Sequence, residues 1–98
     1  MILELALFSI TPAQQAQFEA AFGQASRVIA AAPGHISHQL QRCLETDGRY
    51  VLLVQWQSVA HHVAGFRQSP LFQQWRALLG PFFAAPPAVE HYERVTPP

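Results

Sequence analysis

Five histidines, two tryptophans and one cysteine are the residues of this 98-residue chain best placed to do chemistry. His62 is the most informative. It follows Ser58, a capping residue type, and shares a helical face with Val59, Val63 and Phe66, so its ring is expected to point from an apolar stripe toward a sheet. Two readings fit such an imidazole: a core group satisfied by a backbone carbonyl, or a base in a pocket. With an ordinary pKa of about 6.5, a neutral imidazole can take an acidic phenolic or α-carbonyl proton at neutral pH. His61 is turned about 100° away and is expected in solvent.

The other candidates divide similarly. His35 and His38 are three residues apart on a predicted strand, which sends them to opposite faces. Cys43 has the parity of His35 but lies roughly 27 Å along. No pair has zinc spacing, so no metal is expected. His91 and Tyr92 occupy opposite faces of a last strand, and parity alone does not say which looks inward. Trp56, Phe66, Phe72 and Trp75 read either as core or as walls for a flat aromatic substrate, with indole N–H groups available to a carbonyl. Arg76, beside Trp75, reads as a solvated side chain or as a group that steers an anionic substrate. Phe82 and Phe83, ahead of Ala84-Ala85-Pro86-Pro87, read as a lid or as core cover. The chain has no Gly-x-Ser-x-Gly and no phosphate-cradling or dinucleotide-binding glycine motif, which leaves serine hydrolysis and nucleotide cofactors without support.

These side chains need elements to position them. Ile2 to Ile10 is almost wholly apolar and reads as a strand buried on both faces. Thr11-Pro12-Ala13-Gln14 has the form of a capping box. Phe18, Phe22, Ala25, Ile29 and Ala32 then mark one face of a helix that Pro33-Gly34 ends. A strand from His35 to about Leu44, a hairpin at Thr46-Asp47-Gly48-Arg49 and a return strand Tyr50 to Trp56 follow. Ser58 starts a short helix to about Arg67, Ser69-Pro70 starts another, and Gly80-Pro81 stops it. Val89 to Val95 is the last strand. The order predicts an α+β, ferredoxin-like βαββαβ fold with a four-stranded antiparallel sheet and helices on one face. Tyr50, Leu52, Val54 and Trp56 then point one way and Val51, Leu53 and Gln55 the other. Both faces are largely apolar and the helices can cover only one, so the other is an apolar patch that a symmetric partner should bury. A homodimer through the sheet face is expected.

Composition sets the outer limits. Ninety-eight residues suit a single domain, 1–98. The charged fraction of 12% is about half that of an average soluble domain. Six basic and six acidic residues balance to zero, against the basic surface that nucleic acid demands. The sheet also lacks the exposed aromatics of an RNA-recognition module, which shares this element order. No apolar run is long enough for a membrane span. The start, Met1-Ile2-Leu3-Glu4, lacks the basic region of a signal peptide, and a lone cysteine gives no disulfide framework. The cytoplasm is the expected compartment.

Several segments resemble a known family. Tyr50-Val51-Leu52-Leu53-Val54-Gln55-Trp56-Gln57-Ser58 resembles the strand-to-helix signature of the antibiotic biosynthesis monooxygenase (ABM) domain. Phe66-Arg67-Gln68-Ser69-Pro70-Leu71-Phe72 is similar to that family's second helix entering its third. Pro33-Gly34 and the closing Val89-Glu90-His91-Tyr92-Glu93 fit as well, so the resemblance spans nearly the whole chain. It implies a dimeric α+β barrel with a pocket between helices and sheet in each subunit. Its members include cofactor-free oxygenases of anthrones and quinols, haem-degrading enzymes, and relatives that isomerise or bind small metabolites. The haem-degrading branch places an iron-ligating His and an Asn where Arg76 and Ala6 stand here, and Arg cannot ligate iron. The resulting expectation is a cofactor-independent monooxygenase of an electron-rich aromatic. His62 would be the base, Trp56 and Trp75 walls or donors, and Phe66 and Phe72 the apolar lining. An isomerase or tautomerase, or a non-catalytic small-ligand-binding dimer, are the rivals on the same scaffold.

Overall fold

In the computed structural model, which describes residues 1–97, the apolar N-terminal segment forms strand β1 (Ile2–Ser9). Ile10 prolongs it only through an isolated bridge to Phe83. A 3₁₀ turn, Pro12–Gln14, leads into helix α1 (Gln15–Ala30). The expected capping box does not form. The turn closes by Gln14 N–H donating to the Thr11 carbonyl at 2.8 Å, so the Thr11 hydroxyl makes no cap bond. Strands β2 (His35–Arg42) and β3 (Arg49–Trp56) follow as a hairpin. A wide π-type turn (His61–Gly65) runs into a 3₁₀ turn (Phe66–Gln68), then helix α2 (Pro70–Leu79) and strand β4 (Ala88–Tyr92). The strands lie in the order β2-β3-β1-β4, each pair antiparallel. This is the ferredoxin-like α+β arrangement that the element order predicts.

The helices cover one face of the sheet. Phe18, Phe22, Ala25 and Ile29 of α1 and Trp75 and Leu79 of α2 pack on Ala6 and Phe8 of β1 and on Tyr50, Leu52, Val54 and Trp56 of β3, all buried. Each large apolar side chain removed from water contributes roughly 1.5–3 kcal/mol. Polar groups lock the layers together at one edge. The Tyr50 hydroxyl donates to Glu19 Oε2 at 2.6 Å, and Arg42 grips the same carboxylate through Nε at 3.1 Å and Nη2 at 3.0 Å. On the opposite face Leu3, Leu5, Val51 and Leu53 are only half-buried and Leu7 is 43% exposed. Burial of β1 on both faces, expected from its composition, is therefore not achieved within one chain.

Candidate active site

The row of β1 that faces the helices reads Ile2, Glu4, Ala6, Phe8, and one member is an acid. Glu4 is 5% exposed. Its Oε1 accepts the indole N–H of Trp56 at 2.8 Å and lies 3.3 Å from His62 Nε2. His62 Nδ1 is in turn 2.8 Å from Nε2 of His91, which strand pairing sets directly opposite Glu4 on β4. Glu4, His62 and His91 thus lie in line from the core to the edge strand of the sheet, the two rings hydrogen-bonded and the carboxylate within 3.3 Å of the first. Nδ1 of His62 is engaged by His91, while Nε2 faces the Glu4 carboxylate.

The surroundings tune both groups. Burial pushes the Glu4 carboxyl above its usual range, opposed by the Trp56 N–H and by the charge of Arg67. Burial, with His91 and Arg67 nearby, pushes His62 down to about 4. At neutral pH His62 is therefore a neutral ring, and it lies beside a buried acid without forming an ion pair with it.

Glu4 and His62 open onto a cavity of about 530 Å³, within the range of small-molecule sites. Its walls are apolar, with Ala6 and Phe8 from β1 and Phe66, Phe72 and Trp75 from the helical segments. Phe83 and the stretch Ala84 to Pro87 also line it, tied to β1 by the Ala84 N–H donating to the Ser9 carbonyl at 2.7 Å. Phe83 lines the cavity while packing on the core ring of Phe8, centroids 4.9 Å apart, and Phe82 packs on the core ring of Phe18 at 6.1 Å, so both cover the core. Arg67 and Arg76 line the cavity as well and are exposed at its open side.

Four of the five residues singled out from sequence, His62, Phe66, Phe72 and Trp75, line this cavity. Trp56 does not. It is completely buried, its N–H is committed to Glu4, and its ring stacks beneath His62. It holds Glu4 and packs under His62 instead of forming a wall of the cavity. The helical face also needs revision. Val59 and Val63 are exposed while His62 and Phe66 are buried, because the segment widens into a π-type turn in which Phe66 N–H reaches the His61 carbonyl. Widening keeps positions four apart in line and swings positions three apart outward, and such turns concentrate at functional sites. His61 is half-buried, not solvated: its Nδ1 lies 2.8 Å from Ser58 Oγ and its ring abuts Gly34.

The parity argument for His35 and His38 fails at a bulge. Ile36 is an extra residue between the pairs His35–Trp56 and Ser37–Gln55, so both histidines face the helices. His35 Nε2 lies 2.7 Å from His38 Nδ1, and His38 Nε2 lies 2.6 Å from Ser26 Oγ. Neither lines the cavity. Among the described residues no group of three or more His, Cys, Asp or Glu side chains is placed to hold a metal ion. His91 is the inward partner of the last-strand pair, and the Tyr92 hydroxyl donates to Glu90 at 2.9 Å on the outer side. Glu4 and Arg67 escaped the sequence reading. The signal for Glu4 was present, a single acid on the inward parity row of an apolar strand.

A small α+β domain with an acid–imidazole pair at the end of an apolar cavity is the setting in which relatives can be compared. The family model for antibiotic biosynthesis monooxygenase (ABM) matches residues 1–78. YczJ of Bacillus subtilis (strain 168), itself uncharacterised, is 40% identical over 95 residues, 97% of this chain and 100% of YczJ. A Bordetella bronchiseptica protein assigned to the same family is 41% identical, with a TM-score of 0.92 over 96% of each chain. SnoaB of Streptomyces nogalater, a cofactor-independent oxygenase solved as a mutant, is 20% identical with a TM-score of 0.76, over 99% of this chain and 97% of SnoaB. That last likeness is one of fold. The chain belongs to the antibiotic biosynthesis monooxygenase family. Among the described residues no helix is long and apolar enough to cross a membrane.

Proposed function

We propose that this protein is a monooxygenase that uses no resident cofactor and acts on an electron-rich aromatic of the quinol or anthrone kind. The observation that carries the reading is the Glu4–His62 pair, 3.3 Å apart, at the buried end of an apolar cavity. Family membership supports it, as does the fold shared with a cofactor-independent oxygenase.

The substrate's acidic proton passes to the Glu4 carboxylate, whose proton affinity burial has raised, while His62 and Trp56 hold that carboxylate in place. The positive charge of Arg67 stabilises the organic anion left behind. That anion gives one electron to dioxygen, and the two radicals combine into a hydroperoxide after protonation. Removal of the remaining proton on that carbon then expels water and leaves a carbonyl, so CH₂ plus O₂ gives C=O plus H₂O. The protein supplies base, field and a dry cavity. Two copies joined through Leu3, Leu5, Val51 and Leu53 would bury the uncovered sheet face.

The test is oxygen uptake by chelator-treated protein on a panel of quinols and anthrones. Uptake above the spontaneous rate is expected, and His62→Ala and Glu4→Gln should each lower it by about 10²-fold or more. Undiminished turnover in both variants would overturn the assignment. Turnover of an enolisable substrate under nitrogen, without oxygen uptake, would make the enzyme an isomerase.

A further inference from the structure

The cavity carries more charge than its chemistry with a neutral quinol requires. In a chain whose net charge is zero, two guanidinium groups, Arg67 and Arg76, line one cavity. The acid lining it, Glu4, lies at the buried end, where it accepts the Trp56 N–H and faces His62. Among the described residues neither arginine makes an ion pair. The charge of Arg67 lowers the pKa of both Glu4 and His62. Its guanidinium carbon stands 5.8 Å from the Phe72 ring centroid, which fixes the head against a cavity wall.

We infer that the physiological substrate is an aromatic acid, with a carboxylate held by Arg67 and Arg76 at the open side and an ionisable hydroxyl or methylene delivered to Glu4 and His62. A cleft lined by fixed positive charge with apolar walls concentrates anions, and the planar guanidinium matches a carboxylate through two parallel hydrogen bonds. The apolar rings between the two ends select an aromatic body over an aliphatic acid. The inference rests on this cavity being the substrate site but not on oxygen chemistry.

Binding measured under nitrogen separates the two. The probes are a hydroxynaphthoate with hydroxyl and carboxylate at opposite ends of the ring system, and the naphthol lacking the carboxylate. Both are followed by quenching of tryptophan fluorescence, since Trp75 lines the cavity. The carboxylate probe should bind at least about tenfold more tightly, and added salt should erode that advantage. In Arg67→Gln/Arg76→Gln the carboxylate preference should vanish, the two probes binding alike. Both arginines are exposed, so the double variant is expected to fold, and circular dichroism checks it. Equal affinities in the parent protein, no saturable quenching by either probe, or a preference that survives in the double variant overturns the inference. A carboxylate preference without oxygen uptake on any aromatic acid would uphold the inference and sink the oxygenase reading. Oxygen uptake on neutral quinols with no such preference would do the reverse.

Discussion

Trp56 lies beneath His62 with ring planes 19° apart and centroids separated by 5.3 Å, and its N–H donates to the same oxygen of Glu4 that faces His62 Nε2. One indole thus sets the plane of the imidazole and the orientation of the carboxylate together. The N–H also favours the ionised acid, because a hydrogen bond to a charged form lowers the pKa of the group that receives it.

Trp56→Phe should therefore move a pH profile instead of merely lowering a rate. Without the indole donor the Glu4 carboxyl rises further above its usual range, and the acid limb of oxygen uptake should shift upward by about one pH unit. The plateau at high pH should fall much less. A purely structural Trp56 would depress the plateau and leave the limb where it was.

Acid should destabilise the protein through His62. The unfolded chain protonates this ring below its ordinary 6.5, whereas the folded protein resists until about 4. Between those values the unfolded state binds more protons, so stability rises with pH and is lost as pH falls through that window. For this group the loss at pH 5 is about 2 kcal/mol relative to pH 8. Burial lowers His35 and His38 as well, which adds in the same direction. Glu4 opposes it, because its raised carboxyl takes up a proton in the folded state at higher pH than in the unfolded one. Urea midpoints at pH 8 and pH 5 should therefore lie closer together in His62→Gln and further apart in Glu4→Gln. Equal pH dependence in all three proteins would remove His62 from the account.

Much of this architecture was legible in residue pattern, and the failures have identifiable causes. The strands and α1 follow from periodicity, and the two-residue alternation of β3 matches the burial observed, whereas β1, expected buried on both faces, is buried on one. Face assignment failed at His35 and His38 because one inserted residue, Ile36, reverses parity without leaving a turn signal in the sequence. It failed at Val59 and Val63 because a π-type turn breaks the 3.6-residue period. His62 survived that change because it is in line with Phe66. The partnership of Glu4 with Trp56 and His62 joins β1, β3 and the following turn, and no local pattern encodes contacts so far apart in sequence.

Gly34 offers a test of how the segment bearing His62 is seated. Its φ of 85° lies where side chains are unfavourable, at roughly 1–2 kcal/mol for a residue with a Cβ. A Cβ there would also collide with the ring of His61. His61 holds Ser58 at the start of the turn that carries His62. Gly34→Ala should cost more than about 2 kcal/mol in urea unfolding and should loosen ligand binding in the cavity. A smaller loss with unchanged binding would show that His61 yields freely.

The uncovered sheet face yields the last prediction. Leu5 and Leu53 are paired across β1 and β3 at the middle of a surface with Leu3 and Val51 half-buried and Leu7 exposed. In a two-fold dimer each substitution is present twice, facing its own copy or near neighbours. Leu53→Glu would place an uncompensated charge in the contact, a cost of roughly 3 kcal/mol or more, which is over about a hundredfold in Kd. Sedimentation equilibrium should show a dimer for the parent chain and a folded monomer for Leu53→Glu. Val59→Glu, on the exposed side of the helical segment, should leave the dimer intact. A monomeric parent chain would sink the face-to-face arrangement, and dissociation by Val59→Glu with none by Leu53→Glu would move the interface to the helices.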